Sequence, residues 1–331
     1  MHSFENIEQV KSNIFNINND AEFENLTLEL FHYQMENNPV YAPYASLILK
    51  GETPDNIFEI PFLPIEFFKK EQVICQGKGV EEVFLSSGTT GDQSKHLVAE
   101  MSIYKKSYLK TFQQFYGDIQ DYCILALLPS YRKREGSSLI YMVDDLITKS
   151  KHPKSGFYLG NLNELSDTIK ELESKGQKTI LFGVTYALLD LAKEFPQKLE
   201  HTIIMETGGM KGKRKELLKE EIHAILKTAF TTKNIHSEYG MTELLSQAYS
   251  KGNGIFESTN WMKILIRDVN DPLSLIGNNK TGGINVIDLV NIYSCPFIAT
   301  QDLGRTFDDG SFTLLGRFSN ADIRGCNLLI Q

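Results

Sequence analysis

Beyond residue 80 the chain alternates short apolar runs with longer stretches in which apolar residues recur every three or four positions. "EEVFL", "DYCILALLPS", "KTILFGVT" and "HTIIMETGG" have the length and composition of strands. Between and after them, "MSIYKKSYLKTFQQFYG", "LNELSDTIKELESKG" (with Gly176 as its stop), "YALLDLAKEF" and "KRKELLKEEIHAILKTAF" have helical spacing. Alternation of this kind predicts an α/β domain with largely parallel strands. From about Trp261 the pattern turns β-rich, through "MKILIRDV", "GGINVIDLV", "PFIATQD" and "GSFTLLGRF". Before residue 80, "AEFENLTLELFHYQMENN" reads as a helix with acidic residues in its first half, and "PFLPIEFFKKEQV" is broken by Pro61 and Pro64. No internal repeat, low-complexity tract or obvious linker interrupts the pattern. The expected organisation is a mostly helical segment 1–80 packed on the main domain, a core over 81–315, and a short C-terminal segment 316–331.

Composition narrows the partners. The 331 residues are 41% hydrophobic and 23% charged, ordinary values for a globular chain with a real core, and the formal net charge is -8. An acidic chain without a basic patch argues against nucleic acid as partner, but leaves room for a small anion held locally. No apolar stretch is long enough for a transmembrane segment, and "MHSFENIEQVKSN" lacks the basic start and apolar core of a signal peptide. A cytoplasmic protein is expected. Cys75, Cys123, Cys295 and Cys326 form no CxxC pair, so zinc and thioredoxin-like chemistry lack support and free thiols are the expectation.

Four stretches carry candidate chemistry. In "VFLSSGTTGDQSKHLV", Ser86, Ser87, Thr89 and Thr90 supply hydroxyls, while Gly88 and Gly91 let several backbone N–H groups face one anion. The spacing is not that of a Walker A loop. Lys95 could reach a phosphate as a point charge. The alternative is a plain turn between a strand and a helix. In "SEYGMTELL", Thr242 offers a hydroxyl and Glu243 a hard oxygen ligand, suited to Mg²⁺ held by a carboxylate and phosphate oxygens. The alternative there is a helix N-terminus, where Thr and Glu are favoured anyway. In "ATQDLGR", Asp302 follows an apolar strand and could accept hydrogen bonds from both hydroxyls of a ribose, or could simply start a turn. "LLGRFSNADIRGCNLLIQ" closes the sequence with Arg317, Arg324 and Cys326.

Together and in this order, these stretches resemble the motifs of the adenylate-forming (acyl-AMP-forming) superfamily: its phosphate loop, its Tyr-Gly-x-Thr-Glu motif in "YGMTE", its ribose motif in "TQDLGR" with Gln301 where glycine is usual, and its hinge in "GRFSNADIRG". "SSGTTGDQSKH", "LLPSYRKREGSSLIYMVDDLI" and "RGCNLL" more closely resemble acyl-protein synthetases of the LuxE type, the long-chain-fatty-acid–protein ligases. The resemblance implies that superfamily's large-domain architecture, with layered sheets and helices, a β-rich C-terminal part and a lid domain reduced or absent. It implies ATP and Mg²⁺, and activation of a carboxylic acid, expected to be a fatty acid, as acyl-AMP. The acyl group would pass to Cys326 and then to an acyl-accepting protein such as an acyl reductase or a carrier protein.

By the same resemblance Ser86, Ser87, Gly88, Thr89, Thr90 and Gly91 would hold the β- and γ-phosphates. Thr242 would touch phosphate and Glu243 would hold Mg²⁺. Tyr239 would lie near the adenine and Gly240 would belong to the cofactor site; Gly208 and Gly209 fit the place where backbone approaches the adenine, or form a helix-entry loop; Asp302 and Arg317 would bind the ribose. Tyr131, Ser137 and Ser138 would line the acyl pocket. Arg324 is a candidate to lower the pKa of Cys326 and His96 a candidate base. The superfamily's lid lysine has no counterpart, so Lys95, Lys211 or Arg134 would balance charge. Two other functions fit the same residues: a ligase that loads coenzyme A or a carrier protein directly, with Cys326 structural, and a catalytically inactive nucleotide-binding subunit.

Overall fold

The computed structural model describes residues 7–87, 93–129, 136–208 and 218–318. They fall in two compact units, one joining Met1–Gly79 to Asn260–Gln331 and the other formed by Val80–Thr259. Among the described residues no helix is long and apolar enough to cross a membrane.

The first unit begins with α1 (Ile7–Ile14), α2 (Asp20–Asn37), α3 (Tyr41–Leu49), β1 (Leu63–Pro64) and α4 (Phe67–Lys70). Asn19 starts α2: its side chain accepts from Glu22 N at 2.9 Å, and the Glu22 carboxylate reaches back to Asn18 N at 2.8 Å. Such reciprocal capping satisfies N–H groups that the first helical turn leaves open.

The second unit contributes β2 (Glu82–Leu85), β3 (Lys95–Val98), α5 (Met101–Tyr116), β4 (Cys123–Leu127), α6 (Ser138–Ser150), β5 (Gly156–Phe157), α7 (Leu162–Ser174), β6 (Thr179–Val184), α8 (Thr185–Glu194), β7 (Thr202–Thr207), α9 (Lys219–Phe230), β8 (His236–Tyr239), β9 (Ala248–Ser250) and β10 (Ile255–Phe256). One sheet runs in the order β5-β4-β6-β7-β8-β9, parallel as far as β8, with β9 antiparallel at the end. Every residue of β4 is buried, as a strand covered on both faces must be. One face packs Leu125, Leu127, Leu181 and Ile204 against Leu165 and Ile169 of α7, Leu188 and Leu191 of α8, and Leu226 and Phe230 of α9. Each fully buried leucine there contributes about 1.5–3 kcal/mol. β2 and β3 form a separate antiparallel hairpin.

The chain returns to the first unit with β11 (Met262–Arg267), β12 (Leu275–Ile276), β13 (Gly282–Asp288), β14 (Phe297–Thr306) and β15 (Phe312–Arg317). Their antiparallel order is β12-β11-β13-β14-β15. β1 lies parallel to the start of β14, Leu63 opposite Ile298 and Pro64 opposite Ala299. Of the prolines that break the helical pattern around residue 62, Pro61 precedes and Pro64 ends a short edge strand, where a missing N–H is tolerated. Buried side chains tie the N-terminal helices to the turn after β13: Gln34 Nε2 donates to Ile292 O at 2.7 Å and Asn38 Nδ2 to Ser294 O at 2.6 Å.

Two local expectations change. "PFIATQD" does not end at Asp302; β14 continues to Thr306, so Asp302 lies inside a strand and starts no turn. "YGMTE" does not open a helix; Thr242 and Glu243 form a turn between β8 and β9.

Candidate functional site

In the second unit the β2–β3 hairpin presents the serine/threonine/glycine stretch. Ser86 N donates to Ser94 O at 3.0 Å, Ser94 N to Ser86 Oγ at 3.0 Å, and Gln93 Nε2 to Ser86 O at 2.8 Å. Both ends of the stretch are therefore pinned at Ser86; Ser87 follows it, part-buried. Gly88, Thr89, Thr90 and Gly91 lie outside the described residues, as do Arg134, Tyr131, Gly209, Lys211, Arg324 and Cys326.

Alternation along β3 sends Lys95 to solvent and buries His96. His96 Nδ1 lies 2.8 Å from Thr242 O, across 146 residues of sequence. That contact brings the strand leaving "SSGTTG" to the "YGMTE" turn. Burial pushes the His96 imidazole down to about 4, against the smaller opposing effect of its bond to Thr242, so the ring is neutral at physiological pH. Lys95 is the exposed member of the pair.

This neutrality has a measurable consequence. The folded-state pKa lies below the ordinary value of 6.5, so the unfolded chain takes up the proton first on acidification. Stability associated with His96 is present above about pH 6.5 and is lost as pH falls towards about 4. Urea unfolding of a His96→Asn variant should show a flatter pH profile across that window, by about 3 kcal/mol. An unchanged profile overturns the assignment.

Glu243 is buried beside Thr242, 4% exposed. Among the described residues no group of three or more His, Cys, Asp or Glu could hold a metal ion. A single buried carboxylate suits Mg²⁺ that arrives with phosphate oxygens and keeps its waters, and it does not suit an all-protein metal cage. Tyr239 is buried and packs edge-on to Phe256, centroids 6.1 Å apart.

At the end of β7 and the start of α9 lie charges that the sequence reading missed. Glu206 is buried; Thr185 Oγ1 lies 2.6 Å from its Oε1 and 2.8 Å from Gly208 O. Lys219 Nζ and His223 Nε2 each stand 3.8 Å from Glu206 Oε2. Burial alone would raise the Glu206 carboxyl; His223, Lys219 and Thr185 outweigh it and hold it below its usual value. Gly208 has φ +70, the left-handed region that glycine tolerates, and Thr185 fixes its carbonyl. The available signal was one acid interrupting the apolar run of "HTIIMETGG".

Ser137 caps α6, its Oγ accepting from Ile140 N at 3.5 Å. The carbonyl of Ser138 accepts from Tyr104 Oη at 2.9 Å. Both serines are part-buried at the start of that helix.

In the first unit the structure brings Asp302 and Arg317 together. They are register partners on β14 and β15, and Arg317 Nε donates to Asp302 Oδ1 at 2.8 Å. Asp302 sits where the edge of β14 passes from β1 to β15. Its N–H donates to Thr300 Oγ1 at 3.1 Å, and Thr300 Oγ1 donates to Ile284 O at 2.9 Å. Arg267, 8% exposed, braces the same place: Nη1 donates to Ile284 O at 2.7 Å and to Asn285 Oδ1 at 2.8 Å, and Nη2 donates to Thr300 O. It spans the register shift between Gly283 and Asn285. Only an arginine ending the apolar run "MKILI" marked it in the sequence.

ATP-bound MatB from Rhodopseudomonas palustris matches with a TM-score of 0.55 at 16% identity, over 73% of this chain and 50% of that one. An open conformation of 2-hydroxyisobutyryl-CoA ligase, in complex with 2-HIB-AMP and CoA, matches with a TM-score of 0.63 at 11% identity, over 92% and 72%. The chain has the large-domain fold of the adenylate-forming enzymes. It spans half the length of MatB. No protein-family model matches the sequence, and no curated protein matches it.

Proposed function

We propose that the protein is an AMP-forming acid–thiol ligase of the long-chain-fatty-acid–protein ligase type. The observation that carries this reading is the His96–Thr242 contact, which joins two motifs 146 residues apart, on the fold of adenylate-forming enzymes. A carboxylate oxygen of the fatty acid attacks the α-phosphorus of ATP, the bond to the β-phosphate oxygen breaks, and pyrophosphate leaves with the electron pair. Both reactants are anions, so fixed donors and cations do most of the work. Ser86, Ser87 and the loop through Gly91 bind the β- and γ-phosphates. Glu243 would hold Mg²⁺, which would offset phosphate charge. Asp302 and Arg317 bind the ribose.

The thiolate of Cys326 then attacks the acyl carbonyl, AMP leaves, and a thiol of a partner protein, an acyl reductase or a carrier protein, takes the acyl group. The other three cysteines support this choice of nucleophile. All are buried, and burial pushes their thiols up, Cys75 to about 12 and Cys123 to about 11, with Cys295 raised as well. Thiols so shifted hold almost no thiolate near neutral pH.

Intact-mass measurement after incubation with ATP, Mg²⁺ and a panel of carboxylic acids tests the relay. One acyl adduct is expected, absent in Cys326→Ser. No adduct with any acid, or an adduct that persists in Cys326→Ser, refutes it. Thioester formed on coenzyme A by Cys326→Ser would instead establish direct loading.

A further inference from the structure

Thr207, Glu238 and Tyr249 stand side by side across three strands. Glu238 of β8 is the register partner of Thr207 on β7 and of Tyr249 on β9. Residues paired in this way point to one face, with Cβ atoms about 4.5–5.5 Å apart. That face is covered by α5, whose Phe115 and Tyr116 pack on Tyr249 with ring centroids 5.3 and 5.4 Å away. Gln247 lies just ahead of β9, at the end of that face next to Gly240. Gly240 closes its end. A Cβ on Gly240 would lie 2.5 Å from Glu238 Oε1 and 3.7 Å from Gln247 Cγ, so the carboxyl rests against bare backbone.

The Thr207 hydroxyl, Gln247 Oε1 and the Tyr249 hydroxyl are buried without a hydrogen-bond partner, in residues 0%, 4% and 1% exposed. Buried polar atoms left in this state are destabilising and uncommon. Three of them around one carboxyl call for a common partner. Glu238 as a whole is part-buried. Burial first, and then the charge of Glu206, pushes the Glu238 carboxyl up to about 8, with Lys219 pulling the other way. Near neutral pH it keeps its proton, and so both donates and accepts. A neutral, two-way hydrogen-bonding group suits a ligand hydroxyl.

We propose that Thr207, Glu238, Gln247 and Tyr249 form a subsite that binds a hydroxyl group on the carboxylic acid substrate. The location supports a substrate subsite: "YGMTE" continues directly from Glu238, and Tyr104, which covers Ser138 O, lies within electrostatic reach of Glu238. The inference rests on the ligase reading for the acid, and narrows that acid to a hydroxylated one.

The test uses pairs of acids of equal carbon number, with and without a hydroxyl. Their binding to the full chain without ATP is measured by calorimetry, and their support of ATP–pyrophosphate exchange separately. At least one hydroxy acid should bind at least about tenfold better than its unsubstituted partner, because a site that hydrogen-bonds a hydroxyl rejects the analogue lacking it. Tyr249→Phe and Thr207→Val, which keep shape and remove only polar atoms, should each cut that preference severalfold. Glu238→Gln should retain most of it and Glu238→Leu should abolish it. Equal binding within every pair, or a preference unmoved by Tyr249→Phe and Thr207→Val, overturns the subsite. Selective binding without any exchange leaves the subsite standing and removes the ligase reading. Exchange at equal rates with both members of every pair does the reverse.

Discussion

Glu243→Gln should lower acid-dependent ATP–pyrophosphate exchange by about a hundred- to a thousandfold, the usual cost of removing one fixed electrostatic contributor to a transition state. Glu243 is buried in the turn whose preceding carbonyl, that of Thr242, is held by His96. The substitution keeps the shape and removes the charge, so under the proposed metal role a hard cation would lose its protein ligand while the turn keeps its packing. Exchange should recover in part as Mg²⁺ is raised, because weaker metal binding is the defect. Thermal unfolding of the variant separates that defect from loss of fold, and Glu243→Asp, which keeps the charge, should retain more activity. A folded Glu243→Gln variant with undiminished exchange would falsify the metal role.

Gly282→Ala should destabilise the first unit by about 1–3 kcal/mol, the range for overpacking. An added Cβ would collide with Arg267 O and lie 2.6 Å from Ile266 Cγ2 and 3.1 Å from Ile276 Cδ1. The nearest atom is backbone within the β11–β13 pairing and cannot swing aside without opening the ladder. Trp261 reports on this unit: it is the only tryptophan in the sequence, it is buried, and its ring centroid lies 5.1 Å from that of Phe15. Urea unfolding followed by its fluorescence should show a lower midpoint with an unchanged slope. Gly79→Ala serves as the control, since a Cβ there meets nothing within 4 Å. Equal midpoints for Gly282→Ala and the unsubstituted protein would show that the strands shift to accept the methyl group.

The candidate residues were nominated from the sequence because the stretches that carry them are local. A Ser/Thr/Gly stretch behind a strand, or a Thr-Glu pair after Tyr-Gly, is chemistry written in consecutive residues. The reading of Asp302 as the start of a turn failed because the run after "PFIA" looked polar, yet β14 pairs with β13 on one edge and with β15 on the other. In such a strand polar residues alternate outward without ending it. Arg267, Glu206 and Glu238 escaped notice for a related reason. Arg267 and Glu206 are single charges closing or interrupting an apolar run, Glu238 stands in the polar stretch "KNIHSEYG", and the surroundings of all three come from other strands.

The sequence by itself determined the element types. Apolar periodicity distinguishes α5, α7, α8 and α9 from the buried strands between them, and the change of pattern near Trp261 marks the antiparallel region. Such signals depend only on which side chains a helix or strand must bury, a property of neighbouring residues. Tertiary structure alone decided that β1 would lie against β14, that Asp302 would meet Arg317, that His96 would hold the turn at Thr242, and that Thr207, Glu238 and Tyr249 would share one face. Strand order and register set those encounters, and they follow from packing the whole chain, which no local pattern encodes.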